Sequence, residues 1–151
     1  MVLNQDFREF IQSLNDNKVR YLVIGGYAVA FYGHPRYTKD LDIWLELSEE
    51  NAARIIKALD QFGFSSLGLT TQDFLEPDTV VRLGYPPNQL DLLIGLEGMN
   101  FAACYTARAE TEIEGLPITF IDLEGLRKSK RLAGRLQDLA DLESLATENR
   151  R

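Results

Sequence analysis

The chain predicts an α/β (α+β) fold, with a mixed β-sheet, helices mainly on one face and a helix pair at the C-terminus. Three observations point there. Residues 40 to 47 alternate between Leu41, Ile43, Leu45 and Leu47 on one side and Asp40, Asp42, Trp44 and Glu46 on the other. That period of two is the mark of a strand with one buried face. Apolar residues at helical spacing flank it: Phe7, Phe10, Ile11 and Leu14 before, and Ala52, Ile55, Ile56, Leu59 and Phe62 after. The chain then closes on two helical segments separated by Gly134.

Each element follows from its local chemistry. Residues 4 to 15 predict a helix with Asn4 as N-cap and the Asn15-Asp16-Asn17 cluster as its stop. Residues 19 to 24 are short, apolar and β-branched, a strand that ends at Gly25-Gly26. A short helix is expected over residues 27 to 32, closed by Gly33. His34-Pro35-Arg36 reads as a loop, because proline disfavours helix in the residue before it. After the alternating strand, Ser48 caps a helix whose first turn carries Glu49 and Glu50, where the macrodipole favours acid; Gly63 stops it. Residues 65 to 78 give no clear pattern. Residues 79 to 84 and 89 to 94 predict a hairpin about the turn 85 to 88. A helix over 100 to 107 is followed by strands over 109 to 113 and 118 to 121, joined at Glu114-Gly115. Helices over about 123 to 133 and 136 to 147 complete the chain, read as the C-terminal segment of one domain spanning residues 1 to 151.

Composition narrows the function. Hydrophobic residues make up 45% and charged residues 26%, the balance of a soluble globular protein. The longest apolar runs are too short to cross a bilayer, and the N-terminus lacks a signal-peptide pattern, so no membrane partner is expected. Cys104 is the only cysteine, which forbids an internal disulfide and fits a reducing, cytoplasmic setting. A net charge of −7 argues against a long nucleic-acid track held by phosphate neutralisation. The charge is uneven, however. Five basic residues and no acid lie between Arg127 and Arg135.

The chemistry concentrates in carboxylates. Asp40 and Asp42, two apart on a strand, aim at one site. Alone, Asp-x-Asp also describes a solvated strand face. Two like charges so close repel, and burying either unpaired is costly; a divalent cation relieves both costs. Magnesium takes carboxylate oxygens and completes its shell with water and phosphate. A third acid is expected on a neighbouring strand, and Asp91 stands alone in the apolar run Leu90-Asp91-Leu92-Leu93. Upstream, Gly25-Gly26 follows a strand and opens a helix, where backbone amides can approach a phosphate.

Together these residues resemble the signature of the polymerase-beta-like nucleotidyltransferase superfamily. The matching pattern is Leu22-Val23-Ile24-Gly25-Gly26-Tyr27-Ala28, then Gly33, Arg36, Thr38 and Asp40-Leu41-Asp42-Ile43, with Leu90-Asp91-Leu92 as the later strand. The likeness is greatest to small stand-alone prokaryotic members, including relatives of abortive-infection and toxin–antitoxin nucleotidyltransferases. Their C-terminal Lys, Gly-Arg, Asp, Asp series is matched by Lys130, Gly134-Arg135, Asp138 and Asp141. The resemblance spans about residues 21 to 145.

It implies a nucleotidyltransferase fold and transfer of an NMP from an NTP to a hydroxyl, with release of pyrophosphate. It implies magnesium, or manganese in its place, on Asp40, Asp42 and Asp91. It implies nucleotide binding by Gly25, Gly26, Arg36, Lys130 and Arg135. The acceptor stays open between RNA, such as a tRNA 3′ end, and protein. Analogy also admits a homodimer and a helical partner protein. Many active members carry Ser where this chain has Gly26, which keeps alive an alternative: a weakly active or inactive interaction module, such as an antitoxin-type partner.

Other residues have plainer readings. Asp138 and Asp141, three apart, are expected as neighbours on a helix surface, with Arg135 as ion-pair partner. Lys130 has the alternative of a solvated basic face. Trp44 either stacks on a base or covers the sheet. Cys104 reads as core, His34 as a loop residue, and the turn at Tyr85 as a possible flank of the cleft beside Asp91.

Overall fold

The computed structural model describes residues 3–33, 39–85 and 87–148. Six strands, β1 (Tyr21–Ile24), β2 (Leu41–Leu45), β3 (Thr79–Leu83), β4 (Leu90–Ile94), β5 (Ala109–Ile113) and β6 (Leu116–Phe120), form one mixed sheet in the order β3-β4-β2-β1-β6-β5. The helices are α1 (Gln5–Asp16), α2 (Gly25–Phe31), α3 (Glu49–Phe62), α4 (Phe101–Thr106), α5 (Leu123–Ala133) and α6 (Leu136–Glu148). The expected mixed sheet and C-terminal helix pair are both present.

The caps lie where the sequence places them. The Asn4 side chain accepts from the Phe7 N–H at 2.9 Å, and the Ser48 hydroxyl accepts from the Asn51 N–H at 3.1 Å. Each satisfies one of the orphan donors of a helix start. Gly63 ends α3 at φ +108, a conformation that costs other residues more. Phe7, Phe10, Ile11 and Leu14 of α1 are fully buried, and Phe10 meets Phe62 of α3 edge-on at 5.3 Å. On β2, Leu41, Ile43 and Leu45 are buried, as alternation requires.

Asn51, in the first turn of α3, ties that helix to the sheet. Its Nδ2 donates to the carbonyls of Arg20 and Glu46, and its Oδ1 accepts from the Arg20 N–H at 2.8 Å. The side chain is 1% exposed, so these bonds are sheltered from water. They fix the entrance of β1 and the exit of β2, the two strands that lead to the carboxylates.

Some boundaries differ from expectation. α2 begins at Gly25, so both glycines lie inside its first turn. β1 begins at Tyr21, where pairing with Leu45 starts. β6 begins at Leu116, because the hairpin turn is only two residues, Glu114 and Gly115, both with positive φ. That is the turn whose twist matches paired strands. The unassigned stretch after α3 forms two short 3-10 turns, Ser65–Leu67 and Thr71–Phe74. The second is closed by Thr70 and Asp73 and buries Phe74 completely. Among the described residues, no helix is long and apolar enough to cross a membrane.

Candidate functional site

The sheet order brings the acids together. β4 lies beside β2 and parallel to it, with Asp91 directly opposite Asp42. Adjacent strands stand about 4.8 Å apart, so two carboxyls in one row and on one face must meet. On the far side of β4, antiparallel β3 places Arg82 opposite Asp91. One row therefore reads Asp42, Asp91, Arg82. The next row on the same face reads Trp44, Leu93, Val80.

Asp42 carries the clearest electrostatic signature. Its carboxyl is pushed up to about 7, first by burial, then by the charge of Asp91 and by a hydrogen bond shared with it, and further by Asp40; Lys130 opposes the shift. A shared hydrogen bond between two carboxyls requires that one hold a proton. Asp91 is 9% exposed, accepts from Gln89 Nε2 at 2.9 Å, and lies 3.7 Å from Arg82 Nε.

Gly25 closes the other end of the row. A Cβ at this position would stand 2.2 Å from Asp42 Oδ2, inside contact distance, and the residue sits at φ +68. Glycine is required twice over, by the backbone conformation and by the close approach of the carboxylate. Gly26 is buried within α2. The sequence pattern thus contains a steric instruction: the glycine after β1 makes room for the acid on β2.

The C-terminal helices supply cations. Lys130 of α5 is 6% exposed, with Nζ 2.9 Å from Asp141 Oδ2 and 3.3 Å from Asp138 Oδ1. Asp138 also accepts from Arg135 Nε at 2.7 Å and from the Arg135 backbone N–H at 3.2 Å. Burial alone would raise the Asp138 carboxyl; the hydrogen bonds from Arg135 and the charge of Lys130 outweigh it and hold it below the usual carboxylate range. Asp138 and Asp141 are therefore not surface neighbours: they are 1% and 2% exposed, because α6 turns this face toward α5. The expected pairing of Asp138 with Arg135 is present. Lys130 is likewise not on a solvated basic face.

Gly25, Asp40, Asp42, Asp91, Lys130, Arg135 and Asp138 all line one open cleft of about 380 Å³. Its remaining wall includes Val80, Arg82, Leu93, Leu96 and Ala133. Sequence reasoning passed over this wall, because Arg82 reaches the site only through the pairing of β3 with β4. Arg36, with His34 and Thr38, lies outside the described residues. Trp44 is 1% exposed and packs edge-on beneath Phe101 of α4 at 5.1 Å, so it covers the sheet. Cys104 is buried. Tyr85 borders a different recess, with Asp6, Phe62 and Phe64.

Among the described residues, no group of three or more His, Cys, Asp or Glu side chains is arranged to hold a metal ion. The donor set still fits magnesium. Asp42 and Asp91 set carboxylate oxygens, the donor type magnesium takes, side by side, and a bound cation would relieve the repulsion between them. The glycine cradle keeps Asp42 Oδ2 uncovered by any Cβ on that side.

No family model and no curated protein sequence matches the chain. Solved structures do. An antigenic nucleotidyltransferase-like protein from Paracoccidioides brasiliensis aligns at a TM-score of 0.57 and 17% identity, over 95% of this chain and 77% of that one. A candidate nucleotidyltransferase from Thermotoga maritima aligns at a TM-score of 0.58 and 19% identity, over 94% of this chain and 91% of that one. With a six-stranded mixed sheet that sets Asp42 against Asp91 and Gly25 against Asp42, the chain has the nucleotidyltransferase fold.

Proposed function

We propose that the chain is a metal-dependent nucleotidyltransferase that moves an NMP from an NTP to a hydroxyl on RNA or protein and releases pyrophosphate. The observation that carries this reading is the in-register pair Asp42–Asp91, capped by Gly25 and facing Lys130 across one cleft. Asp40, Asp42 and Asp91 would hold magnesium, or manganese, which when bound neutralises phosphate charge and polarises the reacting phosphoryl group.

The chain's own groups have distinct tasks. Gly25 gives the Asp42 carboxylate the room it needs at the cleft wall. Lys130, ion-paired with Asp138 and Asp141, would meet the triphosphate from the cleft wall, and Arg135 would meet it at the rim. The Asp91 carboxylate takes the proton of the attacking hydroxyl. The hydroxyl oxygen then bonds the α-phosphorus as the bond to the departing pyrophosphate breaks. Groups fixed before the reaction lower its barrier because little reorganisation remains.

The resemblance to abortive-infection and toxin–antitoxin nucleotidyltransferases supports a further proposal, a helical partner protein within the cytoplasm. Gly26, where many active members of the resembled superfamily carry Ser, is the feature behind the alternative of a non-catalytic module. The test separates the two. Each of four α-phosphate-labelled NTPs is incubated with magnesium, total RNA and cell protein, beside an Asp42→Asn variant. Labelled RNA or protein that drops about 10²–10³-fold in the variant, the usual loss for a group stabilising transition-state charge, supports transfer. Folded protein that binds magnesium and nucleotide but labels nothing supports the binding module instead.

A further inference from the structure

The recess bordered by Tyr85 stands apart from the acid cleft, and no residue lines both. It is an open hollow of about 360 Å³, within the range of small-molecule sites. Asp6 of α1, Phe62 and Phe64 at the end of α3, and Tyr85, Asn88 and Leu90 of the β3–β4 connection line it. Phe62 and Phe64 meet at 5.0 Å with their rings inclined by 54°, which makes an aromatic corner. Phe62 is held there by its edge-on contact with Phe10. Tyr85 is 85% exposed, and no other aromatic side chain among the described residues is so open to water.

The one carboxylate of the recess is Asp6. Its Oδ2 accepts from Asn88 Nδ2 at 3.0 Å, and Asn88 Oδ1 accepts in turn from Asn4 Nδ2 at 2.9 Å. Both ends of the Asn88 amide are therefore engaged, while Asp6 Oδ1 accepts no hydrogen bond among the described residues. No Lys, Arg or His lines the recess, and Asp6 has no ion pair among the described residues.

The geometry points to a second binding site in this recess, one for a small free organic cation of the trimethylammonium type. Other occupants conflict with the lining. An anion finds no basic side chain. A divalent metal finds one carboxylate, short of the several oxygens it needs. A neutral apolar molecule would strip water from Asp6 and offer no partner in return. A primary ammonium brings three N–H donors to a recess whose one free side-chain acceptor is Asp6. A trimethylammonium head has no N–H to satisfy. Its methyl groups can pack on Phe62, Phe64 and Leu90, its charge is attracted to aromatic rings, and Asp6 supplies the opposite charge. The inference does not depend on the transfer reaction.

The probe is choline, and the reference is its neutral isostere, in which a tert-butyl group replaces the trimethylammonium head. Each is titrated into the full chain while NMR follows the ring resonances of Phe64 and Tyr85. Choline is expected to shift both rings and to bind about tenfold more tightly than the isostere. Asp6→Asn keeps an acceptor for Asn88; it should weaken choline about fivefold and leave the isostere within about twofold. Tyr85→Leu should weaken choline about threefold, whereas Tyr85→Phe retains wild-type binding because the ring and not the hydroxyl is used. Asp6 and Tyr85 are both exposed, and circular dichroism confirms the fold of each variant. Asp42→Asn should leave choline binding unchanged. Equal binding of choline and the isostere, or undiminished choline binding in Asp6→Asn, overturns the site. So does choline that shifts neither ring, or a loss of binding in Asp42→Asn, which assigns the cation to the acid cleft instead.

Discussion

At the scale of single residues, Gly25 and Asp42 are one feature. The 2.2 Å that a Cβ would leave to Asp42 Oδ2 forces either residue to move if Gly25 gains a side chain. Gly25→Ala is expected to cost about 1–3 kcal/mol through the left-handed backbone and the contact, and to lower nucleotide transfer at least tenfold. Urea unfolding and a transfer assay read the two effects separately. Asp42 also sets a pH dependence. Its folded pKa, about 7, lies above its ordinary value of 3.8. In that window the folded state holds more protons than the unfolded chain, so this group's contribution falls as pH rises from about 4 to about 7. Unfolding midpoints of wild type relative to Asp42→Asn should decline across that interval and be level below it. Magnesium affinity should rise over the same interval, because the cation displaces the shared proton.

Much of this residue-level pattern was legible without coordinates. Asp40, Asp42 and Gly25 are close in sequence, and strand alternation with a strand-to-helix turn suffices to place them. Asp91 was legible because a lone acid within an apolar strand needs a partner. Arg82 was not, since its neighbour is chosen by strand pairing and not by spacing. The burial of Asp138 and Asp141 was hidden for a similar reason. Helical periodicity shows that two residues share a face, but not whether that face meets water or another helix.

At the scale of elements, α5 and α6 act as a unit joined by buried charge. Lys130 is matched by Asp138 and Asp141, and removal of one partner leaves a charge uncompensated away from water. Asp141→Ala is expected to destabilise by about 3 kcal/mol, the lower end for breaking a buried pair, because Asp138 remains. Adding Lys130→Met should cost less than the sum of the single changes, a coupling that a double-mutant cycle in urea measures. The capped helices α1 and α3 were readable from Asn4, Ser48 and Gly63 because those caps are local. The role of Asn51 was not, because its partners are the backbones of Arg20 and Glu46, which flank separate strands.

At the scale of the molecule, the sheet gathers acid from β2 and β4, glycine from α2 and cations from α5 and β3 into one cleft. Such a site is stabilised by what it binds. Magnesium with a non-hydrolysable NTP at 100 times its dissociation constant should add about 2.7 kcal/mol to unfolding and raise the melting temperature. Asp42→Asn should lose most of that gain. Calorimetry with and without ligand checks it, and magnesium alone serves as the reference.

By itself the sequence determined most of the element types, the helix caps, the buried stripes and the candidate acids, because each depends on interactions within a few residues or on a period of 2 or 3.6. The tertiary structure alone decided which acid faces which, that β4 runs parallel beside β2, that Lys130 lies buried between two carboxylates, and that Arg82 stands open at the rim. Those facts depend on strand order and on helix faces meeting across long stretches of chain, and no local periodicity encodes either one.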